Sequence, residues 1–218
     1  MERKNKQVFW EALIIAIFIF GSGLFFGYFI ELNQVSNVIS LYQETELNLL
    51  DTKIQDGIIS LNEIDCELFF NESVNFANRI YEEAKLLEKY EDSSQLSQGA
   101  LFQHKKYDLL RANLWINTIK LKERCDLDFI TLVYFYDYRT SSLGLRSEQE
   151  VFSRKLLEVR NEKGDKVILI PIASNLNINS IEYLKSYYKM DTVPTILINE
   201  KDKITGINEL NNLDNYVN

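Results

Sequence analysis

The run from Ala12 to Ile30, ALIIAIFIFGSGLFFGYFI, carries no charged side chain. As a helix it reaches roughly 30 Å, the thickness of a bilayer's hydrocarbon core. Arg3, Lys4 and Lys6 precede it and Glu31 follows. Positive charge collects on the cytoplasmic side of a span. The pattern therefore predicts a cytoplasmic N-terminus over 1–7, a transmembrane helix over 8–30, and an extracytoplasmic remainder. The chain reads as a single-pass cell-membrane protein. Trp10 and Tyr28 stand near the ends of the run, where interfacial aromatics belong. The competing reading is a cleaved signal peptide, which has a shorter apolar core and a small-residue cleavage site. Neither is present, which favours an uncleaved anchor. Gly23 and Gly27 form a G-x-x-x-G pair that can bring two membrane helices together as a homodimer. Glycine is common in such helices, so an unpaired span is equally compatible.

The net charge is −8, which argues against nucleic-acid binding and against docking of the folded part on anionic lipid. With 2 Pro and 8 Gly the chain has no long flexible linker. Cys66 and Cys125 lie far apart and there is 1 His. No metal-ligand spacing results, and no cofactor is expected.

Residues 31–125 read as a helical stalk or hairpin. Val35, Val38, Tyr42, Thr45 and Leu49 follow a heptad-like stripe. A second helix after Gly57 places Phe70, Val74, Ala77, Ile80, Ala84 and Leu87 on one face. A polar break over 91–99 precedes a third helix with Tyr107, Leu110, Leu114, Thr118 and Leu121 in register. Breaks this short favour antiparallel packing. His104, beside Lys105 and Lys106, reads as a surface residue. Asn71-Glu72-Ser73 matches a glycosylation sequon inside a helix. Counting seven from Ile59 and four to Phe70 puts Cys66 on the inner face of the second helix. Cys125 follows Leu121 by four at the end of the third. Antiparallel helices would let the two sulfurs meet. The alternatives are a disulfide, favoured outside the cell, and two buried free thiols.

From 126 to 218 the order of elements is β-α-β-α-β-β-α. Phe129–Tyr136 is dense in β-branched and aromatic residues, as suits a strand buried on both faces. Ser141 and Ser142 offer caps for a helix that continues through Val151, Phe152, Leu156, Leu157 and Val159. Residues 166–173 form a second strand, and 178–188 a helix with Ile181, Leu184 and Tyr188 on one face. Pro194 opens a third strand, where its missing ladder donor is tolerated. A short return strand over 204–206 and a final helix with Ile207, Leu210, Leu213 and Val217 complete the unit.

This α/β order resembles the thioredoxin fold. Thr192-Val193-Pro194-Thr195, followed by Ile196–Ile198, is similar to that family's cis-proline loop. The resemblance implies a groove between this loop (Val193, Pro194 and Thr195) and the loop at Thr140–Arg146, in which the backbone at Val193 pairs with an extended substrate. Tyr134-Phe135-Tyr136, a loop and Glu148-Gln149 resemble the family's strand, C-x-x-C and helix. Counted back from Gln149, the C-x-x-C position falls on Leu143, Gly144, Leu145 and Arg146, so both sulfurs are replaced. Thiol exchange needs a thiolate, and no catalytic residue is expected there. The whole chain resembles a group of archaeal proteins with one N-terminal anchor, a helical stalk and a C-terminal thioredoxin-like domain.

Three functions follow. One is a redox-inactive module that binds an extended protein segment in the cis-proline groove. A second is an oxidoreductase using Cys66 and Cys125. A third is a structural envelope protein that self-associates through its helices.

Overall fold

The computed structural model describes the backbone of residues 2–60, 64–91 and 97–217, with side chains over 9–27, 46–60, 64–85 and 101–217. The Arg3, Lys4 and Lys6 cluster, Tyr28, Val35, Val38, Tyr42, Thr45, Leu87 and the polar break over 91–99 lie outside the described side chains. The chain divides into two compact units, Met1–Glu46 and Leu47–Asn218.

The described residues of the first unit are all helical. Helix α1, Glu2–Ile59, contains the one apolar stretch among the described residues long enough to cross a membrane, Phe9–Gly27. A signal sequence near the N-terminus is also compatible with a helix of this length and composition. Phe18, Ile14 and Phe25 are each well over half exposed on this stretch. A helix apolar on every side has no water-facing stripe, as a bilayer requires. Apart from the helix's own neighbouring backbone, no described atom lies within 4 Å of the place a Cβ would take at Gly23 or Gly27.

The second unit is built on a four-stranded mixed sheet. Its strands are β1 (Ile130–Tyr136), β2 (Val167–Ala173), β3 (Thr195–Ile198) and β4 (Asp202–Ile204), in the order β2-β1-β3-β4. Strand β1 is parallel to β2 and antiparallel to β3, with Val133 between Ile170 and Leu197. A strand in that central place has both faces covered, and its five inner residues are buried. On one face Leu132, Tyr134, Ile196 and Ile198 pack against Phe152, Leu156 and Val159 of α4 (Leu143–Lys163). Leu210 and Leu213 complete that layer. The expected final helix is two short ones, α6 (Ile207–Leu210) and α7 (Leu213–Val217), and Ile207 is exposed.

The opposite face carries Val133, Phe135, Ile168, Ile170, Ile172 and Leu197. Helix α5 (Asn179–Tyr187) contributes Ile181 to it. Helices α2 (Cys66–Glu91) and α3 (Ser97–Arg124) supply Phe76, Ile80, Leu110, Leu114 and Trp115 to the same core. Packing is thus continuous across the expected boundary between residues 125 and 126. A nine-residue α5 cannot cover a face of four strands, and the α2–α3 hairpin covers the rest. On α2 the expected Val74 and Ile80 are buried and Phe70 and Ala77 pack partly buried against the same core, while Phe69, Ser73, Phe76 and Glu83 widen the buried face by one step round the helix. On α3 the expected residues Tyr107, Leu110, Leu114, Thr118 and Leu121 are all buried.

Cys66 and Cys125 form a disulfide with Cα atoms 5.9 Å apart. It joins the first residue of α2 to the residue after α3, where antiparallel helices bring their ends together. The spacing from Ile59 is not the reason, because Ile59 ends α1 and a separate helix begins at Cys66. The Asp65 carboxylate accepts from the Leu68 amide at 3.0 Å and caps α2. Lys120 pairs with Asp56, and the Arg124 guanidinium donates to the Ile59 carbonyl. These contacts tie the last turns of α1 to α3.

A polar cluster fixes α3 to the start of β1. Three residues join β3 to β4, and Asn199 and Glu200 are the central pair of the turn closed by the Lys201 amide on the Ile198 carbonyl, with φ of 47° and 60°. Asparagine tolerates this region and glutamate rarely enters it. Glu200 is held by donors from Trp115 Nε1 at 2.9 Å and Thr131 Oγ1 at 2.7 Å. Lys122 donates to Thr131 Oγ1 and to Asn199 Oδ1. Burial pushes the Lys122 ammonium pKa below its ordinary value, against the pull of Glu200. Trp115→Phe removes one donor to a charged acceptor. It is expected to lower stability by roughly 1.5–3 kcal/mol, read as a shifted urea midpoint at unchanged slope.

Candidate binding edge of the sheet

Strand β1 ends at Tyr136, β2 ends at Ala173, and Thr195 at the head of β3 stands opposite Phe135. The antiparallel β3 therefore brings Val193 and Pro194 to the edge where β1 and β2 finish. The peptide bond between Val193 and Pro194 is cis. Pro194 and Thr195 are buried and Val193 is half-buried. The Thr195 hydroxyl donates to the Thr192 carbonyl at 2.6 Å, which closes the loop.

The loop after β1 is held by side chains from several elements. Gln149 of α4 accepts from the Asp137 amide at 2.8 Å and donates to the Asp137 carbonyl at 3.1 Å. Asn175 makes the same two-way pairing with Tyr138. Ser174 donates its hydroxyl to Asp137 Oδ1 at 2.7 Å. Lys185 of α5 donates to the Ser174 carbonyl and pairs with Glu182 at 3.1 Å. Amides in loops need such partners because no ladder satisfies them.

Helix α4 starts as expected. Ser142 caps it by accepting from the Leu145 amide at 3.3 Å. Leu143 is 76% exposed at the tip, and Gly144 and Arg146 are exposed too. The Arg146 guanidinium donates to the Thr140 carbonyl at 3.0 Å and so braces its own loop. No ionisable nucleophile stands at this tip. At the same end of the sheet an open crevice of about 450 Å³ is lined by Asp137, Ser174, Asn175, Lys185, Asp191 and Val193 among others; neither Pro194 nor any residue of the expected loop at Thr140–Arg146 lines it.

The disulfide is not part of this edge. Cys125 precedes β1 and the loop follows it, and seven extended residues span about 23 Å. Cys125 is 5% exposed. The sequon at Asn71 sits in α2; Asn71 is exposed, but Ser73 is 3% exposed and donates to the Phe69 carbonyl. Among the described residues no group of three His, Cys, Asp or Glu comes together as metal ligands would.

His104 is the residue that reading the sequence misplaces. It is not on the surface: its Nε2 lies 2.9 Å from the Tyr136 hydroxyl and 3.8 Å from Asp108 Oδ2. Its ring stacks on Tyr138 with centroids 4.1 Å apart. Asp108 is fully buried and accepts from Arg111 at 3.1 Å. Burial raises the Asp108 carboxyl pKa, while Arg111 pulls it down. His104, Asp108 and Arg111 recur at positions i, i+4 and i+7, one face of a helix. That spacing was a legible sign that the histidine shares its face with buried charge.

Tyr134 lies under the loop and is 4% exposed. Burial raises its phenol pKa, helped by the charge of Glu148 and opposed by Ser153. A raised phenol stabilises the fold fully below its unfolded value near 10, and the gain is lost as pH rises toward the folded value. Tyr188 is shifted the same way and Lys122 the opposite way, so the comparison is with Tyr134→Phe. Each pH unit above about 10 is expected to cost the parent up to about 1.4 kcal/mol more than the variant. Urea unfolding across that range measures it.

No protein family matches the chain, and no curated protein matches it either.

Proposed function

We propose that the chain is a membrane-anchored, extracytoplasmic, redox-inactive binding module whose 126–218 part is thioredoxin-like. Its groove takes an extended segment of a protein partner. The observation that carries this reading is the open crevice where Val193 meets the loop after β1, at an edge holding no thiol. Strand order β2-β1-β3-β4 with helical crossovers supports the fold assignment. A half-buried Val193 supports strand-like pairing of its backbone with a guest. The uncharged stretch in α1 supports the anchor, and the basic residues before it support a cytoplasmic N-terminus. A disulfide between Cys66 and Cys125 supports an oxidising compartment. It sits away from the crevice, which speaks against its use as the redox pair.

The test is site-specific photocrosslinking in cells that make the full chain. A photoreactive residue at Asp191 should give a discrete protein adduct that Leu143→Glu weakens. The same residue at exposed Tyr183 should give none. Equal labelling from both positions would mean that the crevice has no guest.

A second reading has its own observation. Leu47, Leu50, Ile54 and Ile58 are exposed and fall on one side of α1 at 3.6 residues per turn. Such a stripe suits self-association through the helices. Sedimentation of the detergent-solubilised chain, alone and with Ile54→Lys, separates the two readings: a monomer unaffected by the substitution excludes this one.

A further inference from the structure

A cavity of about 260 Å³ lies along the outer edge of β2, between α2, α3 and the end of α4. It is smaller than the roughly 300–1,000 Å³ of small-molecule sites. Its floor is backbone. The Ser174 amide donates to the Tyr136 carbonyl, so the even-numbered residues of β2 turn their polar groups toward β1. Successive residues alternate. The Ala173 amide accordingly points the other way, into the Asp108 carboxylate. Leu169 and Pro171 share that outward direction and line the cavity. Pro171 has no amide to leave unpaired, which is why an edge strand accepts it. Among the described residues no second strand pairs with this side of β2, so the Leu169 amide and the carbonyls of Leu169 and Pro171 form a short stretch of open strand edge.

Two cations stand over this edge from different helices. Arg111 of α3 is 6% exposed and donates one bond of 3.1 Å to Asp108. Arg160 of α4 donates to Asn78 Oδ1 at 2.7 Å, with its guanidinium 4.2 Å from the Tyr81 ring centroid. A guanidinium has five donors, so each arginine keeps donors beyond these bonds. Asp165 is the one acid among the cavity's lining residues; Asp108, outside the lining, holds one side of the Arg111 guanidinium. The two guanidiniums bring spare forked donors to one strand edge of a chain whose net charge is −8.

We propose that the edge of β2 is a second peptide-binding site, taking a short extended segment that pairs with the Leu169 backbone and places a carboxylate against Arg160 and Arg111. The carboxylate suits a planar, forked donor set. The backbone edge suits an extended chain and not a compact anion. This site is separate from the crevice at Val193, so either can fail without the other.

The probe is a fluorescein-labelled hexapeptide of alternating valine and threonine with one central glutamate, and its glutamine counterpart. Polarisation is measured against the full chain in detergent micelles. The glutamate peptide should bind saturably, and the glutamine peptide about tenfold more weakly. Arg160→Gln should abolish that preference. Ala77→Phe, which fills the cavity from α2, should weaken both peptides. Thermal unfolding verifies that each variant folds; if Ala77→Phe does not, Arg160→Gln decides. In amide spectra the Leu169 signal should move on binding. Equal binding of the two peptides would overturn the proposal. So would binding that shifts the Val193 amide and leaves Leu169 unmoved.

Discussion

A piece comprising residues 126–218 alone is expected not to fold, while 47–218 unfolds in one cooperative transition. The sheet face formed by Val133, Phe135, Ile168, Ile170 and Ile172 is covered mainly by α2 and α3. Removing those helices exposes this face and deletes Phe76, Ile80, Leu110, Leu114 and Trp115 from the core. Each such side chain contributes about 1.5–3 kcal/mol on burial. Whole domains have a net stability of only about 5–15 kcal/mol. Losing five of them is more than the remaining α4 layer can offset. Circular dichroism and urea titration of the two pieces decide it. A cooperative transition in 126–218 would show that the sheet and α4 are sufficient. The same reasoning makes the full chain the proper reagent for any assay of thiol exchange.

Cys66→Ser is expected to lower stability by about 2–5 kcal/mol. The bond closes a sequence separation of 59 residues, which in the chain-entropy picture contributes about 4 kcal/mol. It clamps the start of α2 to the end of α3 beside Phe129, at the edge of the sheet opposite the crevice. The variant should keep its fold and leave Cys125 as one buried, slowly reacting thiol. Urea midpoints give the loss, and alkylation with mass measurement gives the reactivity. Without reductant, the unfolded parent should take up no alkylating label. Labelling at both positions would mean that the sulfurs are not bonded. A variant as stable as the parent would mean that the clamp has no structural role.

The sheet was legible because its signals are local. Phe129–Tyr136 and Lys166–Ala173 are runs dense in β-branched and other apolar residues, and Pro194 marks a strand start. The α3 stripe was legible for the same reason, since Tyr107, Leu110, Leu114, Thr118 and Leu121 keep one period. What α3 packs against was not legible. It meets α2 on one side and the sheet on another, and it buries Gln103, Asp108, Arg111 and Asn117 besides its stripe. Polar residues in such places read as a solvated face when one helix is considered alone. That is how His104 came to be assigned to the surface. The end of α1 shows the reverse error. Gly57 looked like a break, yet the helix runs to Ile59, because one glycine costs only about 1 kcal/mol in a helix. At the candidate edge, the missing thiols were plain from Leu143 and Arg146. The crevice was not, since it depends on how Ser174, Lys185 and Asp191 come together from three separate segments.

Helix α3 also acts as a gauge of length. Its two anchoring points, Lys122 at the start of β1 and His104 at the end, are about eighteen residues or five full turns apart. They therefore face the same way, separated by about 27 Å along the axis. One inserted residue anywhere between them turns one anchor by about 100° relative to the other. Either the Thr131 and Asn199 bonds of Lys122 or the Tyr136 contact of His104 must then be given up. Substitutions on the outer side of α3 leave this spacing untouched, but insertions and deletions do not. Chains descended from this one should vary freely in the letters of that side and hardly at all in the number of residues between His104 and Lys122.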